Sequence, residues 1–538
     1  SNTSSNWYES LLDELLQSPH YGERWARHWL DIAGYADSEG YTVQDDVRPW
    51  SWKYRDYVIK SFNDGKPFNQ FIIEQLAGDE LAGKRAGDLT ARQIELLTAT
   101  GFLRMAADGT GSGSNTPEAR NQVIADTMKI VGSSLLGLSV ACAQCHDHRY
   151  DPIPQSDYFA LRAIFEPTFD WQNWQTPQQR RVSLYTAADR AKAAEVEAEV
   201  QKVVVVKNEK QAKYMAEALE TELMKFEQPL RDQLKAAYHT PGDKRTPEQT
   251  ELLKKNPSVN ISPGVLYQYL PKAAEELKGF DDQIAEIRKK KPVEEFLRVT
   301  IEPDNHIPET KLFHRGDYRQ PKQVIKPAAL TVVSPEGKRH ELPLNDSTLP
   351  TTGRRLAFAR WLVSGEHPLV ARVLVNRIWM HHFGRAIVGT PGEFGKLGST
   401  PTHQELLDWL AAEFMEQGWD LKKLHRTIML STAYRQAGAH DPSKESIDAD
   451  NHYYWRKPIV RLEAETLRDR MLAVSGVLNR QLTGPPVEIK EDDFGQVVVS
   501  GEQLRRSLYI QARRSQPVGM LQTFDAPVME MNCERRSN

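Results

Sequence analysis

Residues 142–146 read Cys-Ala-Gln-Cys-His, and their two cysteines are two of only three in the 538-residue chain. Two thiols at this spacing add across the two vinyl groups of a porphyrin, and the histidine directly after them then lies under the iron. Cys142 and Cys145 are therefore read as haem c attachment points, and His146 as the proximal iron ligand. Two alternatives stay open on the same residues: a zinc site drawn from Cys142, Cys145, His146 and His148, and a plain structural thiol pair.

The sixth position of such a haem decides its chemistry. A Met or His there favours electron transfer, whereas an open position permits activation of peroxide or oxygen. The distal candidates are Met128, Met380, His381 and His382. His148 is read either as a hydrogen-bonding neighbour of the haem or as a structural cap on the turn before Asp151-Pro152. No Met follows the motif closely, which points to an open, water-bound or weakly held sixth position.

Asp37, Glu39, Asp45, Asp46 and Arg48 lie among Tyr35, Tyr41, Trp50 and Trp52. Aromatic faces beside acids and a guanidinium suit the stacking and hydroxyl bonding that sugars require, so this is the candidate substrate cluster. Core tryptophans beside a solvated acidic loop are the competing reading. Arg372 and Asn376, four residues apart, share a face of one predicted helix with Arg377 following. They suit haem propionates or an anionic sulfated or uronic glycan, or else an interdomain ion pair.

These residues must be positioned by a long, mostly helical chain. Composition is that of an ordinary water-soluble protein, 40% hydrophobic and 26% charged, with a net charge of −4. No global basic field draws it to nucleic acid, and no apolar run approaches the ~20 residues that span a bilayer. Three cysteines are too few for a disulfide scaffold, and Cys533 reads as free or structural. Ser1–Asn6 reads as a trimmed linker. No dinucleotide-binding glycine motif, phosphate loop, Gly-x-Ser-x-Gly elbow or His-Glu-x-x-His motif is present.

The fold class expected is mainly α: a multi-domain helical protein with a helical-hairpin, coiled-coil-like arm and a small β-module. Residues 7–166 read as a helical domain, with helices at 7–37 (broken near Pro19 and Gly22), 51–63, 68–77 and 90–104, a flexible loop at 108–114, and a long helix from Pro117 running toward the haem motif. Residues 187–291 form the arm, its two helical limbs at 187–237 and 271–290 joined by a mobile polar tip; it serves as a partner surface or an intrachain brace. Residues 293–350 form the β-module, with strands near 296–301, 311–314 and 330–333. Residues 353–538 return to helical periodicity, with a helix at 461–480 and a strand at 507–511.

Several longer runs carry a family resemblance. Tyr21-Gly22-Glu23-Arg24-Trp25-Ala26-Arg27-His28-Trp29-Leu30-Asp31, Arg48-Pro49-Trp50-Ser51-Trp52 and Cys142-Ala143-Gln144-Cys145-His146-Asp147-His148-Arg149-Tyr150-Asp151-Pro152 resemble the planctomycete-type cytochrome-associated family with a DUF1549 (PSCyt2) domain. His367-Pro368-Leu369-Val370-Ala371-Arg372-Val373-Leu374-Val375-Asn376-Arg377-Ile378-Trp379, His381-His382-Phe383-Gly384 and Thr432-Ala433-Tyr434-Arg435-Gln436 resemble its usual partner, DUF1553 (PSD1). The resemblance implies an exported, periplasmic or extracellular protein, often coupled to an upstream cytochrome c domain or another redox partner. It also implies that the family continues past the Asn-Cys-x-Arg-Arg run that ends this chain, so the 353–538 domain is expected to be incomplete.

Three functions follow as expectations. The first is a c-type haem oxidoreductase acting on carbohydrate or polysaccharide-derived substrates. The second is a non-catalytic electron-transfer or scaffold cytochrome. The third is a metal-dependent hydrolase holding zinc at the Cys/His motif.

Overall fold

The computed structural model describes residues 6–40 and 44–536. Ser1–Ser5 and Tyr41 lie outside the described residues. The chain is mainly α, and its strands form three two-stranded antiparallel sheets among the described residues. It divides into two compact units, Ser1–Ser183 with Phe296–Asn538, and Leu184–Glu295.

The first unit opens with α1 (Trp7–Gln17), α2 (Tyr21–Ala33), α3 (Trp52–Asn63), α4 (Phe68–Ala82), α5 (Ala91–Ala99), α6 (Pro117–Val131), α7 (Gln155–Phe165) and β1 (Arg181–Ser183). The second unit holds α8 (Ala187–Leu223), α9 (Leu230–His239), α10 (Pro247–Lys255) and α11 (Pro271–Arg288). The chain then re-enters the first unit through β2 (Phe296–Arg298), β3 (Thr310–Phe313) and β4 (Pro321–Ile325). It continues with α12 (Arg354–Leu362), α13 (Val370–Phe383), α14 (Gln404–Glu416), α15 (Leu421–Leu430), α16 (Pro442–Glu445), α17 (Ala464–Val474), β5 (Ile489–Glu491), β6 (Val497–Val499) and α18 (Gly519–Thr523).

Local chemistry explains the element ends. Gly34 stops α2 in the left-handed region (φ 76°), where its N–H meets the carbonyls of the last turn. Thr90 and Gln93 form a reciprocal capping box that starts α5. Pro117 occupies the first position of α6 behind the Thr116 cap. The helix expected from Pro117 toward the cysteines continues past Val131 as a π turn, Gly132–Leu136, and stops where Gly137 turns the chain with φ 60°; a side chain there would strike Val373 and Phe394. The Cys-x-x-Cys-His run therefore begins on a short 3-10 turn, Val140–Gln144, and Cys145 and His146 follow in the turn beyond it.

Three further expectations are corrected. The 108–114 loop is pinned: Asp108 accepts from the Thr110 N–H and hydroxyl and pairs with Arg104, and Gly109 and Thr110 are buried. Residues 331–333 are a 3-10 turn instead of a strand, because the Asp157 carboxylate captures the Thr331 N–H and hydroxyl. Residues 507–509 are also a 3-10 turn, with Asp469 taking the Ser507 N–H and hydroxyl.

One hydrophobic core in the first unit draws on Trp29, Phe71 and Phe102 from the early helices and on Phe358, Val375 and Phe414 from the late ones. A buried charge cluster lies within it. Arg355 on α12 donates to both carboxylate oxygens of Asp79 at 2.7 and 2.9 Å, and lies 3.3 and 3.4 Å from Glu80 and Glu302, all four side chains being fully buried. Burial raises Glu80 to about 8, despite the Arg355 charge that opposes the shift.

In the second unit α8 and α11 pack through Val196, Val200, Ile284 and Ile287. Exposed pairs such as Arg288–Glu197 and Lys290–Glu199 dress the outside. The tip expected to be mobile is folded: Leu234, Ala237, Leu253, Val259, Ile261 and Leu266 bury a second small core.

Candidate functional site

At the haem motif, Cys142 and Cys145 are free and exposed. The turn that carries them is held from below. Gln155, at the start of α7, donates to the Gln144 and Phe313 carbonyls at 2.8 and 2.9 Å, and its N–H reaches Asp147 at 2.7 Å. Gly316 packs so closely on Cys145 that a Cβ there would lie 2.8 Å from Sγ. The exposed His146 places Nδ1 2.6 Å from the Asp147 carbonyl. A carbonyl only accepts, so Nδ1 carries the proton and Nε2 keeps its lone pair for a metal.

His148 is spoken for. It is buried, and its Nδ1 accepts the Asp151 N–H at 2.9 Å while Nε2 faces Ser139 at 3.5 Å. Its ligand atoms are thus used in capping the turn before Asp151-Pro152. The ligand atoms of Cys142, Cys145, His146 and His148 are not gathered into one group within 4.8 Å, so zinc at the motif would require this turn to rearrange.

The expected distal ligands go elsewhere. Met128 is fully buried in the core. Met380, His381 and His382 line a cleft of about 750 Å³ whose walls do not include the motif.

The expected substrate cluster comes together, but as interior structure. Glu39 is buried between Arg48 and Arg298, and Arg48 spends further donors on the Met105 and Ala106 carbonyls. Burial raises the Glu39 pKa, but the Arg298 and Arg48 charges outweigh it and hold it at about 2. Asp37 accepts from Tyr35, Ser51 and the Ala512 N–H. Trp50 packs on Phe296 and under Arg181. Asp37, Glu39 and Arg48 therefore cannot reach a substrate. Nor do Arg372 and Asn376 share a ligand: Arg372 pairs with Asp408 at 2.6 Å, and Asn376 exchanges two bonds with the Val388 backbone in the core.

The cleft itself was missed in the sequence. Along α2, Arg24, His28 and Asp31 recur at helical spacing on one face. The last turn of α13 adds His381 and His382, closed by Gly384 at φ 70°. Residues 454–463 contribute Tyr454, Lys457 and Glu463, and Cys533–Arg536 form another wall. The Cys533 N–H donates to the Asp31 carbonyl at 2.9 Å, and Arg536 bridges Asp31 and Glu465.

Four histidines converge on Trp25. Its ring lies 4.0 Å from His425, 5.3 Å from His28 and from His382, and 6.1 Å from His381, between ring centroids. His382 Nε2 and His425 Nδ1 are 2.9 Å apart, so one donates and one accepts. Burial holds His28, His381 and His425 well below the usual imidazole range and His382 at about 3. Burial also lowers Lys457 to about 8, where it sits 3.5 Å above the Tyr434 ring. The cleft thus offers neutral imidazoles, a lysine that burial lowers to about 8, and Arg385 and Arg535 in its lining.

Two family models match the chain. Residues 1–170 match PSCyt2, a protein of unknown function (DUF1549), and residues 354–538 match PSD1, a protein of unknown function (DUF1553). No curated protein and no solved structure matches it. No helix among the described residues is long and apolar enough to cross a membrane.

Proposed function

We propose that this chain, which belongs to the family joining PSCyt2 (DUF1549) and PSD1 (DUF1553) domains, is an exported c-type haem protein and an oxidoreductase acting on acidic carbohydrate. The observation that carries the haem reading is the motif turn: two free, exposed thiols at the attachment spacing, beside a histidine whose Nδ1 bond leaves Nε2 for iron. Once bound, haem would supply one-electron redox chemistry. Cys142 and Cys145 would hold it and His146 would ligate it, while Gln155 and Gly316 fix the turn.

The cleft supports the substrate part of the reading better than the Asp37 cluster does. It is open, and Arg385, Lys457 and Arg535 suit sulfate or carboxylate groups of a glycan. Lys457, lowered to about 8, can move a proton at a substrate hydroxyl near neutral pH.

The test is consumption of uronic or sulfated oligosaccharides with a soluble electron acceptor. Turnover is expected to vanish in Cys142→Ala/Cys145→Ala and to fall in Lys457→Met. Turnover that survives loss of both cysteines would overturn the haem-dependent reading.

A further inference from the structure

We infer that His28, His381 and Glu463 form a binding site for a first-row divalent transition metal, separate from the Cys/His motif. One ligand atom from each of the three lies within 4.8 Å of the others. His28 Nδ1 is 3.9 Å from Glu463 Oε1. The His28 and His381 rings stack at 3.5 Å with 23° between their planes, so a metal bound in the plane of both rings requires one imidazole to turn out of the stack.

A second observation points to a ligand. His28 is only 6% exposed, yet neither of its ring nitrogens has a hydrogen-bond partner. A buried imidazole normally satisfies both nitrogens, because leaving a buried polar group unpaired forfeits its hydration with nothing in return. A metal on one nitrogen removes half of that cost.

The donor set selects the metal class. Two imidazoles and one carboxylate suit zinc or ferrous iron with open positions left for water or substrate, and are a poor cage for calcium or magnesium, which want more oxygen ligands. The open positions face the cleft, since all three residues line it. Arg24 donates to both Glu463 oxygens, including at 3.2 Å the Oε1 that faces His28, and so orients the carboxylate while withdrawing part of its charge. Arg536 adds positive charge nearby, which is partly balanced by Asp31 and Glu465. These cations set an affinity below that of a closed structural zinc site.

The test is equilibrium dialysis of the full chain against Zn²⁺ and Co²⁺, with metal content measured by mass spectrometry. One metal per chain is expected. His381→Gln and Glu463→Gln should each weaken binding at least ~10-fold, with circular dichroism and melting of the metal-free protein confirming that the variants fold. Cys142→Ala/Cys145→Ala should retain the cleft metal, so failure of the haem reading and failure of this one are distinguishable. Binding that is lost with the two cysteines and kept in the His381 and Glu463 variants would overturn the assignment, as would no binding to the wild-type chain.

Discussion

His28 on α2 and His381 on α13 stack ring to ring at 3.5 Å in the wall of the cleft. One comes from the segment matching PSCyt2 and the other from the segment matching PSD1. The cleft is thus a joint product of both, and neither segment alone presents its histidine cluster.

The same joint construction is visible in the buried charge cluster. Arg355→Ala would leave Asp79, Glu80 and Glu302 without their cation inside the core. Breaking a buried ion pair from one side costs ~3–5 kcal/mol. Urea unfolding should show a loss of that order, or no soluble protein. A change under ~1 kcal/mol would mean that the three acids find other partners.

Acid should weaken the fold through His367. Its Nδ1 accepts the Leu369 and Val370 N–H groups at 3.2 and 3.3 Å and so caps the start of α13. Burial lowers its pKa from the usual 6.5 to about 3. The unfolded chain therefore binds the proton first as pH falls. The stabilisation is complete above pH 6.5 and is lost toward pH 3 at ~1.4 kcal/mol per pH unit. His367→Asn should remove that share of the slope, measured as stability against pH; an unchanged slope would contradict this.

The second unit leaves the first at Ser183 and returns at Phe296, and these two residues are paired across the β1–β2 ladder. Replacing 184–295 by a two-residue Asn-Gly turn should close a hairpin there. The shortened protein is expected to fold with its cleft histidines intact and its haem attachment unaltered. Loss of either, read by melting and by haem content, would assign the inserted unit a role in the site.

Met128 is sealed in the core, and Met380, His381 and His382 belong to the cleft. With those candidates engaged elsewhere, the sixth haem position is expected to be open or weakly held. The reduced protein should bind carbon monoxide at once. A spectrum that ignores carbon monoxide and cyanide would favour the electron-carrier function instead.

What could be read from the sequence was local or periodic. The Cys142–His146 run is contiguous, so its spacing is legible without any fold. Most helices announced themselves by period and by caps such as Thr90–Gln93 and Thr116–Pro117. The elements that misled were those where a side chain captures the backbone, as Asp157 does at Thr331. The Asp37–Glu39–Arg48 cluster misled for another reason: its partner Arg298 arrives from 259 residues away and converts an apparent surface site into core. The cleft was illegible because His28, His381 and Glu463, with His425 behind them, are far apart in sequence. A signal did exist. His28 lies between Trp25 and Ile32 at helical spacing, and His425 between Leu421 and Ile428, so both histidines fall on core-facing stripes where a solvated residue type is out of place.

The central claim is that haem is joined to Cys142 and Cys145. Its most direct test is a peptide mass spectrum of the chain produced in a host with a cytochrome c maturation system. The account predicts that the peptide spanning residues 142–146 carries one haem through two thioether bonds, and that Cys533 alone reacts with an alkylating agent. Recovery of that peptide with both cysteines alkylated and no haem attached would contradict it.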